Sequence, residues 1–207
     1  MKNRPIYWVL AASVGLFVLL MSLSPNHVEV NESHLPWNAA YQQNGELHAL
    51  GLVLNKSTMK DVMDLYGRDI EVKLFEMPDG QKSAEGYLGS MYIGSIHASM
   101  VLKLKIDAEE LDGYFSRGAR ITVSQQGARE VQLNSEDTLA LFNYPIYEVT
   151  IVPRRNLSEI AIEKRFGQPD HIRSSEEGIA SWFYLDKGLE LILIADDKDI
   201  LRYRTSQ

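Results

Sequence analysis

Apolar residues fall at Met59, Val62, Met63 and Tyr66, the i, i+3, i+4, i+7 spacing of one helix face, so STMKDVMDLYG predicts a short amphipathic helix. Thr58 is placed as its N-cap and Gly67 as its stop, with Asp61 three residues after the cap where a capping box carries Glu. One hundred residues later the pattern returns, with Ser158 for Thr58, Ile162 for Val62, Phe166 for Tyr66 and Gly167 for Gly67. Leu157 and Ile162 are spaced for a hydrophobic staple, and Pro169 forbids the second helix to continue. Elsewhere the period is two. Residues 112–133, DGYFSRGARITVSQQGAREVQL, align with 181–203, SWFYLDKGLELILIADDKDILRY, placing Tyr114 over Tyr184, Arg117-Gly118 over Lys187-Gly188 and Val131 over Leu201. Each predicts strand, turn, strand, turn, strand, an antiparallel meander.

Two repeats of helix plus three strands follow. The offset between copies drops from one hundred at the helix to seventy at the meander, so the first half carries thirty extra residues, an insertion within 71–110. It contains the turn EMPDG, the glycine- and aromatic-rich GYLGSMYIGS, and VLKLKID, in which Leu102, Leu104 and Ile106 alternate with Lys103 and Lys105 as in a half-exposed strand. Between the halves SEDTLALFNYP predicts a helix and IYEVTIVP a strand. Because repeat geometry does not require the insertion, Tyr87, Met91 and Tyr92 are its candidate partner contacts, and deleting part of Gly80–Ser99 is expected to spare folding.

The N-terminus has a different pattern. Ile6 to Leu23 is eighteen residues without a charge, preceded by Lys2 and Arg4, long enough at 1.5 Å per residue for a membrane span. An anchor is favoured over a cleaved signal peptide, because cleavage after the small pair Ser22 and Ser24 would leave Pro25 just past the cut. The positive-inside rule then puts the rest outside the cytoplasm. The expected fold class is α+β, an N-terminal transmembrane helix followed by two helix-plus-antiparallel-meander repeats. Its divisions are an anchor at 1–24, a tether at 25–48 with one helical turn around Asn38–Gln43, a first repeat at 49–134 with the insertion at 71–110, and a connecting helix, strand and second repeat at 135–207. The expected location is the inner membrane, single-pass, with the C-terminal domain in the periplasm.

Ser158, Ile162, Phe166, Gly167, Pro169, Tyr184 and Gly188, with the weaker set Thr58, Val62, Tyr66 and Gly67, give the chain a pattern that resembles the SmpA/OmlA family of small envelope lipoproteins. The tandem form is similar to the fold of the beta-lactamase-inhibitor protein. The resemblance covers about 110 of the 207 residues and departs from the family in two ways. No cysteine is present to carry a lipid, and Asp69 stands where the second copy has Pro169. It implies a non-enzymatic domain that holds another protein, expected here to be an envelope protein, on a sheet face.

Composition narrows the chemistry. A net charge of −7 argues against a nonspecific nucleic-acid binder or a polybasic membrane-surface module, both of which need a cationic face. Absence of cysteine removes disulfides, thiolate metal sites and a cysteine nucleophile. The five histidines, His27, His34, His48, His97 and His171, have no HExxH or paired metal spacing. His97 in SIHAS lacks a GxSxG elbow and is assigned a structural or surface role, while Asp196, Asp197 and Asp199 lack EF-hand spacing and fit a hairpin turn. No catalytic, metal or cofactor-binding residue is expected. The functional expectation is a membrane-anchored envelope module for protein binding or assembly. Its competitors are a hydrolase gathering His97 or His171 with carboxylates in a deep pocket, and a carrier with an apolar cavity between sheet and helices.

Overall fold

The computed structural model describes residues 13–14, 31–123, 127–175 and 178–205. It separates into two compact units, Met1–Asn31 and Glu32–Gln207. In the first unit Ser13 and Val14 are helical; the rest of the proposed span Ile6–Leu23 lies outside the described residues. Among the described residues no helix is long and apolar enough to cross a membrane. The described residues therefore do not support the transmembrane helix in the expected fold class, nor the signal anchor and single-pass inner-membrane location that depended on it.

The second unit begins with 3-10 turns at Glu32–His34 and Pro36–Asn38 and a small sheet of β1 (Ala40–Tyr41), β2 (Leu47–Ala49) and β3 (Leu52–Val53). Read above as a tether, the stretch from Glu32 folds onto the domain instead. Leu47, Leu50 and Leu52 are fully buried, and the Tyr203 hydroxyl donates to the Pro36 carbonyl at 2.9 Å. Next come α1 (Met59–Tyr66), β4 (Ile70–Glu76), β5 (Lys82–Ile93), β6 (Ile96–Leu104), α2 (Ala108–Ser116), β7 (Arg120–Val123), β8 (Arg129–Gln132) and α3 (Ser135–Leu141). The chain continues with β9 (Ile146–Pro153), α4 (Glu159–Phe166), β10 (His171–Ser174), β11 (Ile179–Tyr184), β12 (Leu189–Ile194) and β13 (Ile200–Arg204). Four α-helices and thirteen strands are thus described in this unit.

Helices α1 and α4 have equivalent ends. The Thr58 backbone N–H donates to the Asp61 carboxylate at 2.6 Å, and Ser158 Oγ accepts from the Ala161 N–H at 3.3 Å. Gly67 and Gly167 both have positive φ, 117° and 83°, and each N–H reaches a carbonyl four residues back, at 3.2 and 3.0 Å. A strand follows each helix at once, at Ile70 and His171.

Ten strands form one antiparallel sheet in the order β10-β11-β12-β13-β9-β6-β5-β4-β8-β7. The repeat is therefore helix plus four strands: α1 with β4, β5, β6 and β9, and α4 with β10 to β13. The fourth strands meet at the centre, Ile151 opposite Leu201 and Val149 opposite Tyr203, so the halves share one sheet. This corrects the three-strand repeat. The segment 71–110 is mainly the first half's own meander, and the true excursion is 105–145, where α2, β7, β8 and α3 separate the third strand from the fourth. Sequence alignment placed a strand at Asp112–Ser116, but Leu111 and Tyr114 are buried three residues apart on one helix face, and Glu109 and Glu110 occupy the favourable first turn. Gly80–Ser99 contains the buried Ala84, Leu88, Met91, Ile93 and Ala98, so its deletion would remove core and not spare folding.

Alternation decides where the core lies. Ala84 and Leu88 of β5, Met100 and Leu102 of β6, Val149 and Ile151 of β9, and Leu201 and Tyr203 of β13 all point to one face. The helices and the small sheet cover that face. Met59 of α1 sits so close to Gly86 that a Cβ there would lie 2.7 Å from its sulfur; Phe166 of α4 packs on Tyr184 at 5.9 Å; Lys82 ties α2 down through Asp112 at 2.6 Å.

Candidate functional site

The other face of the sheet carries the alternate residues of the same strands. One row crosses five adjacent strands in register, Lys73, Glu85, Lys103, Glu148 and Arg204, with the sign changing at every step. The row extends at both ends. Lys73 Nζ lies 3.1 Å from Glu130, while Glu190 lies 3.6 Å from Arg204 and 3.2 Å from Arg202. Exposed cross-strand pairs contribute only about 0.2–1 kcal/mol each, so the ladder sets register and surface pattern more than stability. Glu148 is the exception. Its side chain is only 8 % exposed and depends on Lys103 at 3.1 Å for compensation.

Tyr87 stands beside the ladder, two residues from Glu85, and Tyr92 stands seven residues from Glu85 on the same strand. Tyr87, 44 % exposed, is opposite Glu71 and Val101; Tyr92, 66 % exposed, stacks on His97 with ring centroids 4.6 Å apart. The two tyrosines are five positions apart, an odd spacing that strict alternation would send to opposite faces. A register shift between Leu88 and Met91 absorbs the odd residue and returns both to the uncovered face. The same shift turns Met91 into the core, where it is 3 % exposed. Of the three contacts singled out in the sequence, the structure brings Tyr87 and Tyr92 to one surface and does not bring Met91 there.

His97 Nε2 lies 2.9 Å from Ser90 Oγ, and His171 stacks on Phe183 at 4.3 Å with Arg173 over the same ring. Neither histidine lines the cavity of about 890 Å³ at the end of the sheet. That cavity lies where β6, β9, β11, β12 and β13 begin or end, and its lining includes Tyr41, Tyr147, Glu148, Phe183, Glu190 and Arg204. It is half-open at the end of the sheet, whereas a buried carrier site requires an enclosed apolar space between sheet and helices. Burial raises the Tyr147 hydroxyl above its ordinary pKa and keeps it protonated. Among the described residues no group of three or more His, Cys, Asp or Glu side chains is arranged to hold a metal ion.

Asp199 is a structural carboxylate. It is 3 % exposed, accepts from the Leu157 N–H at 2.7 Å, and has its pKa raised by burial. The charge ladder was missed in the sequence because strand alternation marks outward residues without showing which of them meet across strands. Its signal was present in the spacing of Glu71 with Lys73, Ser83 with Glu85, and Val101 with Lys103.

No protein-family model matches the chain, and no curated protein or solved structure is significantly similar to it.

Proposed function

We propose that this chain is a non-enzymatic protein-binding module that takes its partner on the uncovered face of the ten-stranded sheet. The observation that carries the reading is a broad face bearing a register-matched row of alternating charge, with Tyr87 exposed beside the row and Tyr92 exposed farther along β5 on the same face. Tyrosines provide large contact area with little side-chain entropy to lose, and a fixed charge pattern discriminates between partners through complementarity. The resemblance to small envelope domains that hold proteins on a sheet implies the same use.

Affinity capture from cells tests the reading with two baits, the unchanged chain and a Tyr87→Ala/Tyr92→Ala variant. A protein retained by the first and lost from the second, with both baits equally folded by circular dichroism, is the expected result. Equal recovery with both baits would refute the assignment to this face.

A further inference from the structure

The cavity at the end of the sheet is an elongated, half-open groove. It runs from Lys105 and Ile106, just past β6, across β9, β13 and β12 to Phe183 and Leu185 at the end of β11. Four strand spacings separate these ends, so an occupant touching both is about 19 Å long.

Most charge along the groove is already matched. Glu190 meets Arg202 and Arg204, Glu148 meets Lys103, and Lys82 meets Asp112. Lys105 is different: its ammonium has no hydrogen-bond or ion-pair partner among the described residues. The Tyr147 hydroxyl, on the neighbouring strand, also has no hydrogen-bond partner among them. Because desolvation disfavours its ionised form, that hydroxyl is a donor at neutral pH. Ile106 stands at the same end, and the far end carries Phe183 and Leu185, the latter 61 % exposed.

One cation and one donor unmatched among the described residues suit a singly charged acceptor, which a carboxylate is and a phosphate monoester at neutral pH largely is not. The distance from these groups to the apolar end requires a long body in place of a compact ring. We propose that the groove binds an elongated amphipathic carboxylate, its head between Lys105 and Tyr147 and its apolar body directed toward Phe183 and Leu185. This goes beyond the protein-binding reading and does not rest on it, since Tyr87 and Tyr92 lie outside the groove lining.

Titration calorimetry of the full-length chain with dodecanoate, dodecanol and dodecyltrimethylammonium tests it. Dodecanoate is expected to saturate at one per chain and to bind at least tenfold more tightly than the other two. Lys105→Ala weakens dodecanoate at least tenfold and Tyr147→Phe about threefold, in line with the loss of charge-assisted hydrogen bonds. Thermal melts of both variants establish that they remain folded. Absence of saturable binding, equal affinity for the three amphiphiles, or dodecanoate affinity unchanged by Lys105→Ala in the folded variant would each overturn the proposal.

Discussion

The two faces of the large sheet are built by the same strands, one residue apart, yet they behave as different materials. On β6, Ala98, Met100 and Leu102 are buried, whereas His97, Ser99, Val101 and Lys103 between them point to the uncovered side. The covered face obtains its stability from apolar packing beneath helices. The uncovered face has charged groups paired across strands and leaves its aromatic side chains available. A fold with one packed and one patterned face separates what holds it together from what it presents, and substitutions on neighbouring residues measure how complete that separation is.

The largest effect is expected on the covered face. Leu102→Ala opens a cavity at a fully buried position and costs about 2–5 kcal/mol, read from the shift in urea midpoint. Its neighbour Lys103 comes next. Lys103→Ala leaves the Glu148 carboxylate poorly compensated and costs about 1–3 kcal/mol, of which the added Glu148→Gln restores a part. If Lys103→Ala alone is neutral, the ladder has no buried anchor and the contrast between faces is sharper than described.

A smaller effect concerns the layer that closes the packed face. Arg117 Nη2 donates to Asp137 at 2.9 Å and is the main reason the Asp137 carboxyl lies below its ordinary range, with Asn134 adding to it and burial opposing it. A lowered carboxyl pKa contributes stability above the ordinary aspartate value of about 3.9, and that contribution is lost as the pH falls through the lowered native value. Stability therefore falls less steeply in acid for Asp137→Asn than for the unchanged chain, as paired urea titrations at descending pH would report; equal slopes would remove Asp137 from the acid response. The smallest change in stability is at the exposed surface. Tyr92→Ala is expected within about 0.5 kcal/mol of the unchanged chain in the same unfolding assay.

Local periodicity made some parts of this architecture legible. The ends of α1 and α4 follow from Thr58, Ser158, Gly67 and Gly167, and the hairpins of the second half follow from alternation and the turn at Gly188. What failed was the assignment of equivalence between halves. Tyr114 and Tyr184 match as letters, but Tyr114 belongs to a helix in the excursion 105–145, and no local signal states that β9 is the continuation of a meander interrupted after Leu104. The same limit applied to the site. Alternation marked Lys103 as outward, whereas its meeting with Glu148 depends on a pairing forty-five residues away in sequence, and the fate of Met91 depends on a register shift.

The most direct measurement of the central claim places a photo-crosslinking amino acid at Tyr87 or Tyr92 on the uncovered face, or at Ile160 on the exposed side of α4, with irradiation in cells. The account predicts one discrete protein adduct shared by positions 87 and 92 and absent from 160. Adducts at 160 with none at either tyrosine would place the binding surface on the helical layer and contradict it.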